Sequence, residues 1–218
     1  MDLFIIELKR APRLLAGLIL LTIGITLMKT ANVGMNPWGV FHFGLANATK
    51  IDVGIIIQLV GFIILILSII FVKVKVGLGT ILNILIVGNL LRVTLKYYTY
   101  IPNSDLQKYL IGIIGLLLIT FGRSLYISAD LGAGPRDGLF VGLSRMTKID
   151  VKYIKPMIEF TVLIIGFLLG EKVGLGTVVS IVASSYLVNM FLLLLGFDPK
   201  KKKQSDITLY FKKRVSNN

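Results

Sequence analysis

The chain has no cysteine and only one histidine among its 218 residues. Without thiols it cannot form disulfide bonds, use a thiolate nucleophile or hold a metal through cysteine. The remaining residues show no spacing typical of a metal site, no nucleophile–base pair and no redox motif. The sequence therefore predicts a protein with no metal, no cofactor and no enzymatic activity.

Acidic residues are also scarce, since 11 aspartates and glutamates face 24 lysines and arginines, for a net charge of +13. In a soluble protein this excess would indicate a nucleic-acid partner. In a membrane protein it reflects the cations of cytoplasmic loops, and we do not expect nucleic acid as a partner. We expect the basic tail to stay in the cytoplasm and to bind anionic lipid headgroups. Its cations are Lys200, Lys201, Lys202, Lys203, Lys212, Lys213 and Arg214.

Long apolar runs are abundant, since 55% of the residues are hydrophobic and the mean hydropathy is +0.84. A bilayer core about 30 Å thick is crossed by about 20 apolar residues in a helix. No small-residue cleavage site follows the first run, which is therefore predicted to be a retained helix with a cytoplasmic N-terminus. The sequence indicates an all-α, multi-pass protein of the cell membrane. The six predicted spans are 14–28, 54–72, 76–95, 110–127, 158–170 and 173–197.

Two motifs occur twice in the chain. Thr49–Val53 recurs as Thr147–Val151, and Lys75–Thr80 recurs as Lys172–Thr177. Small residues and prolines align with the same spacing: Gly17, Gly24, Ala31, Gly34, Pro37 and Gly44 match Gly115, Gly122, Ala129, Gly132, Pro135 and Gly142. Chance similarity between apolar helices would not align glycines, prolines and loop charges. We predict tandem membrane repeats, 1–98 and 99–198, followed by the basic tail 199–218.

Each predicted repeat holds one short segment that begins at a proline, Pro37–Ala48 in the first and Pro135–Met146 in the second. A helix of this size is about 18 Å long, too short to cross the bilayer core, so we predict half-helices. Three full spans per repeat would place the second repeat upside down relative to the first, as in many transporters. Eight full crossings with parallel repeats distribute the cations equally well, so charge leaves this alternative open.

The starts of the half-helices are the first candidate site. Asn36 and Pro37 begin one of them, and Gly134 and Pro135 begin the other. A helix N-terminus carries about half a positive charge and free N–H groups, which suit an anion or a carboxylate. Broken helices at corresponding positions in two halves are typical of transport sites. The alternative is that these residues only shape a loop that packs on the bundle.

Charged residues in or near the spans are the second candidate: Arg123, Arg136, Asp137 and Glu159. A charge at the bilayer centre costs about 2.5–3.5 kcal/mol on insertion scales, so such residues pair with one another or face water. Only the second repeat carries them, which favours a solute site. The aligned positions of the first repeat hold Ile25, Trp38, Gly39 and Gly61. The alternative is a buried ion-pair network that fixes the half-helix.

Three other polar or aromatic residues are predicted to have structural roles. We expect His42 and Trp38 at the membrane interface, where aromatic side chains gather. Asn83 is expected to bond one helix to another.

The stretch Ala129–Leu139, with its Gly-Pro-Arg-Asp-Gly core, joins Gly122-Arg123, Glu159 and Gly174–Thr177 in a wider pattern. This pattern resembles the YczE/YyaS/YitT-like integral membrane proteins of bacteria, over nearly the whole chain up to the tail. The resemblance implies a multi-pass membrane protein of five or six spans in a group of largely undefined activity. It adds weight to the four charged residues as a functional set. The first repeat departs from the pattern, so the resemblance does not extend to a site shared equally by both halves.

We therefore predict a small-solute permease or a component of an exporter. The predicted substrate-binding residues are Asn36, Pro37, Arg123, Gly134, Pro135, Arg136, Asp137 and Glu159. One alternative is a non-transporting accessory protein that docks a cytoplasmic partner or anionic lipid through the tail. Another is a lipid-handling protein, for which only the tail argues.

Overall fold

The computed structural model describes residues 2–73, 76–132 and 134–197, and this part of the chain consists of helices and their connections, without a β-strand. The predicted all-α fold is confirmed. The basic tail and its expected lipid contact lie outside the described residues. The eight helices are α1 (Asp2–Ala31), α2 (Pro37–Thr49), α3 (Val53–Val72), α4 (Leu78–Tyr97), α5 (Asp105–Ser128), α6 (Pro135–Thr147), α7 (Val151–Leu168) and α8 (Leu175–Leu194).

Five of these helices, α1, α3, α4, α5 and α8, are long and apolar enough to cross a bilayer. The remaining predicted span, 158–170, falls largely in α7, which has 18 residues. Three of its residues, Lys152, Lys155 and Glu159, are charged and keep α7 out of the set of apolar helices. A crossing by α7 stays a prediction, and it requires these charges to face protein or water.

The two proline-led segments are helices, as predicted, and each ends one residue later than predicted. Both have 13 residues, a length of about 20 Å. Proline stands at the first position of each helix, where its missing N–H costs no hydrogen bond. Each helix ends where a lysine, Lys50 or Lys148, adopts a left-handed conformation with φ 60°.

Glycines bring α1 and α5 into close contact. A β-carbon on Gly17 would lie 2.7 Å from the carbonyl oxygen of Gly122, and one on Gly24 would lie 2.6 Å from that of Gly115. The residue numbers rise along one helix as they fall along the other, so the helices are antiparallel. An inverted repeat requires antiparallel packing of these aligned helices, whereas eight crossings would make them run the same way. The duplication and the orientation in the membrane stay predictions.

The helices pack in two groups. In the first group, α4 packs on α1, α1 on α5, and α5 on α8. In the second group, α2 packs on α7, α3 on α6, α2 on α3, and α6 on α7. Between the two groups, α3 packs extensively on α4.

Two backbone hydrogen bonds fix the loops that lead into the half-helices. Gly79 N donates to Leu131 O, and Gly176 N donates to Val33 O, each over 2.8 Å. Both donors belong to the repeated Gly-Leu-Gly-Thr motifs, Gly77–Thr80 and Gly174–Thr177, which form the corners before α4 and α8. A β-carbon on Gly176 would lie only 2.7 Å from Gly34 O. The loop from one predicted repeat is thus held by the corner of the other.

A buried acid fixes the far end of α2. Glu171 is 7% exposed; it accepts from Lys29 Nζ at 2.7 Å and from Asn47 Nδ2 at 3.0 Å. Because these three residues come from α1, α2 and the loop after α7, the network joins the two groups of helices.

Replacing Gly17 by leucine should destabilise the protein by about 2–3 kcal/mol, because the side chain meets backbone atoms of α5 that cannot move aside. The free energy of unfolding in detergent micelles measures this. Ala16→Leu is the control, since Ala16 is exposed on the same turn of α1. Equal stability of the two variants would contradict the close crossing.

Candidate functional site

A cavity of about 110 Å³ lies between the two helix groups, where the starts of α2 and α6 come together. It has room for several water molecules or a small solute. Apolar side chains such as Leu21, Ile57 and Ile119 form much of its wall. Of the eight predicted site residues, seven line it: Asn36, Arg123, Gly134, Pro135, Arg136, Asp137 and Glu159. The eighth, Pro37, is buried in the first turn of α2 and is not part of the lining.

One part of the polar lining is an ion pair that joins the two helix groups. Arg123 Nη2 on α5 contacts Asp137 Oδ1 on α6. The hydroxyl of Tyr126 donates to the second carboxylate oxygen, Oδ2, over 3.0 Å. Both oxygens of Asp137 therefore have a partner, and Arg123 is neutralised. This pair fits the structural alternative raised by the sequence, a network that fixes the half-helix.

The second arginine has different neighbours. The Arg136 guanidinium lies over the ring of Trp38, 4.4 Å from its centroid, a favourable cation–π distance. Its Nη2 lies 3.4 Å from His42 Nε2. Among the described residues no carboxylate oxygen lies within ion-pair distance of Arg136.

The indole of Trp38 is buried without a hydrogen-bond partner. Its side chain is 7% exposed, and within the described residues Nε1 has no acceptor. A buried donor in this condition costs about 1–3 kcal/mol. Trp38 lines the cavity, so an acceptor in the cavity would relieve this cost.

Glu159 on α7 is only loosely paired. The closest cation is Lys155 Nζ, 3.9 Å from Oε1, and this ammonium also donates to Ser185 Oγ over 2.6 Å. The four predicted charges thus do not form one network. Arg123 and Asp137 pair with each other, while Arg136 and Glu159 face the cavity without pairing with one another.

The two half-helices differ at their N-termini. On α2, Asn36 Oδ1 accepts from Gly39 N at 2.7 Å, which caps the helix. On α6 the aligned residue is Gly134, which has no side chain to cap it. Since the first amides of a helix have no partner inside it, those of Arg136 and Asp137 stay available.

Sequence reasoning missed several lining residues. The expectation of an interfacial position for His42 and Trp38 was wrong, because α2 turns this face toward the cavity and leaves the two side chains 3% and 7% exposed. Asn83 was expected to bond another helix; it lines the cavity, and its side chain has no hydrogen bond within the described part of the chain. Trp38 aligns with Arg136 in the predicted repeat and lies one helical turn from His42, and this alignment would have indicated that both residues line the cavity.

Known proteins match most of the chain. A model of a "Family of unknown function (DUF6198)" matches residues 8–192. An "Uncharacterized protein" of Haemophilus influenzae (strain ATCC 51907 / DSM 11121 / KW20 / Rd) is 35% identical over 191 residues, 88% of this chain and 87% of that protein. The "Uncharacterized membrane protein YczE" of Bacillus subtilis (strain 168) is 29% identical over 182 residues, 81% of this chain and 82% of that protein.

A further relative carries another of the names given in the sequence resemblance. The "Uncharacterized protein YyaS" of Bacillus subtilis (strain 168) is 25% identical over 179 residues, 81% of this chain and 89% of that protein. These matches confirm the resemblance seen in the sequence motifs. No solved structure matches the chain significantly.

Replacing Asp137 by asparagine should cost about 2 kcal/mol of stability, because it leaves the Arg123 cation in a low-dielectric site without its counter-charge. We expect less than for a fully buried pair, since the two side chains are 26% and 24% exposed. The free energy of unfolding measures the change. Asp105→Asn, which breaks the exposed pair with Lys108, should leave stability unaltered. If Asp137→Asn leaves the free energy of unfolding unchanged, the Arg123–Asp137 pair contributes nothing to stability.

Proposed function

The chain belongs to DUF6198, a family of unknown function, and we propose that it is a permease, or a component of an exporter, for a small solute. Its five long apolar helices make it a membrane protein. We place it in the cell membrane with both termini in the cytoplasm, as the cation distribution favours.

The observation that carries the proposal is the cavity between the two half-helix starts. A half-helix that begins inside the protein presents its amide donors where a solute can reach them. Charged residues within a membrane protein mark solute or ion pathways by default. The cavity combines both features, with Arg136 and Glu159 on its wall.

The helix grouping supplies a route for movement. The cavity is lined from both groups, by α1, α4 and α5 on one side and by α2, α3, α6 and α7 on the other. Transporters expose a central site to alternate sides when one body rocks against another. We propose that the second group moves against the first, with the α1–α5 crossing fixed and the Arg123–Asp137 pair opening and closing between them.

Glu159→Gln should reduce flux at least about tenfold in proteoliposomes, because it removes the acid that faces the cavity while keeping the side chain's size. The measurement is uptake from a panel of labelled amino acids, monocarboxylates and sugars. Asp150→Asn is the control at the start of the same helix, since Asp150 is exposed, caps α7 by accepting from Lys152 N, lies 3.9 Å from Lys152 Nζ and does not line the cavity.

Truncation after Phe197 separates this proposal from docking through the tail. A permease keeps its flux without the tail, whereas a docking protein loses its cellular phenotype. Flux of every transported solute unchanged both by Glu159→Gln and by Arg136→Ala would refute the role of the cavity.

A further inference from the structure

Hydrogen-bond donors with few or no acceptors gather at the start of α6. Arg136 contacts the Trp38 ring and the His42 imidazole, with no carboxylate at ion-pair distance among the described residues. Trp38 Nε1 is buried and has no acceptor in the same part of the structure. Both side chains line the cavity. The first amides of α6 add further donors.

The acceptors nearby are already engaged. Both oxygens of Asp137 hold partners, Arg123 and the Tyr126 hydroxyl. Asn36 Oδ1 caps α2. A side chain on Gly134 would have to displace the Tyr126 hydroxyl, because its β-carbon would lie 2.7 Å from that oxygen. The chain therefore keeps the space at the start of α6 open and rich in donors.

We infer that this end of the cavity binds the carboxylate group of a small solute, held by the Arg136 guanidinium, Trp38 Nε1 and the first amides of α6. The inference rests on the proposed function and names its substrate class. A planar guanidinium binds a planar carboxylate through two parallel N–H···O bonds. The carboxylate supplies the acceptor that the buried indole lacks.

The rest of the solute lies against the apolar wall, beside Leu21, Ile25 and Ile119. Glu159 faces the same cavity without a tight ion pair, so an ammonium group on the solute has a partner as well. A simple monocarboxylate and a small amino acid share the carboxylate that the site recognises, and they differ in their use of Glu159.

The chain contains one tryptophan, Trp38, so its fluorescence reports on this site alone. Purified protein in detergent micelles is titrated with sodium acetate in place of sodium chloride at constant ionic strength. We expect a saturable change in emission. Acetamide, which has the shape of acetate without its charge, should give none. Glycine, titrated in the same way, tests whether the bound carboxylate belongs to an amino acid.

Arg136→Gln should weaken acetate binding at least about tenfold, because it removes the charged fork that holds the carboxylate. Arg92→Gln is the matched control, since Arg92 pairs with Asp52 away from the cavity. Trp38→Phe keeps the ring under Arg136 and removes the N–H. Binding measured by calorimetry should weaken in that variant too. If Arg136→Gln does not fold, Arg136→Lys replaces it and should bind acetate measurably but less tightly.

The inference is overturned if neither acetate nor glycine changes the emission, if acetamide acts as acetate does, or if the Arg136 variant binds as tightly as the wild type. Tighter binding of glycine, reduced to the level of acetate by Glu159→Gln, supports an amino acid as the source. Equal binding supports a monocarboxylate. Carboxylate binding without flux leaves this inference standing while the permease proposal fails. Flux restricted to neutral or cationic solutes would leave the permease proposal standing, while this inference fails.

Discussion

A bilayer offers no water to a polar group that lacks a partner, and this constraint governs the centre of the molecule. Two helices begin inside the protein, so their first amides must find acceptors there or face a polar space. At α2 the Asn36 side chain meets this need. At α6 the aligned residue is Gly134, which has no side chain to accept a hydrogen bond. The first amides of α6 therefore need an acceptor from the contents of the cavity. The proposed site follows from this difference between two otherwise similar helix starts.

The scaffold positions these two starts with few specific contacts. The glycine-lined crossing of α1 and α5 sets the distance between these two helices. The corner amides of Gly79 and Gly176 hold the loops that precede α6 and α2. Glycine is required at these points because backbone approaches backbone without room for a side chain. Packing and backbone hydrogen bonds thus fix the frame, while the charged side chains line the space between the groups.

Much of this frame could be predicted from the sequence, because proline, glycine and run length act locally. Proline at the first position and the short segment length predicted both half-helices, and the run lengths predicted the long apolar helices α1, α3, α4, α5 and α8. The polarity of α7 shows the limit, since three charges in 18 residues leave its crossing undetermined by composition.

The candidate site was predicted as a set but not in its pairing. Arg123, Arg136, Asp137 and Glu159 were expected to act together, yet the structure divides them. Which residue pairs with which depends on side-chain neighbours across α5, α6 and α7, and spacing along the chain does not encode these. His42 and Trp38 were misplaced because an interfacial belt and a cavity wall draw on the same aromatic residues. Their contact with Arg136 is a tertiary feature that only the structure gives.

The central claim is that the two half-helices enter from opposite sides and meet within the membrane. Single cysteines test it directly, since the natural chain contains none. Ile51 and Ile149 follow α2 and α6 at aligned, exposed positions, and each is replaced by cysteine in turn. An impermeant maleimide should label Ile51→Cys only from outside the cell and Ile149→Cys only from the cytoplasm. Labelling of both from the same side would contradict the account.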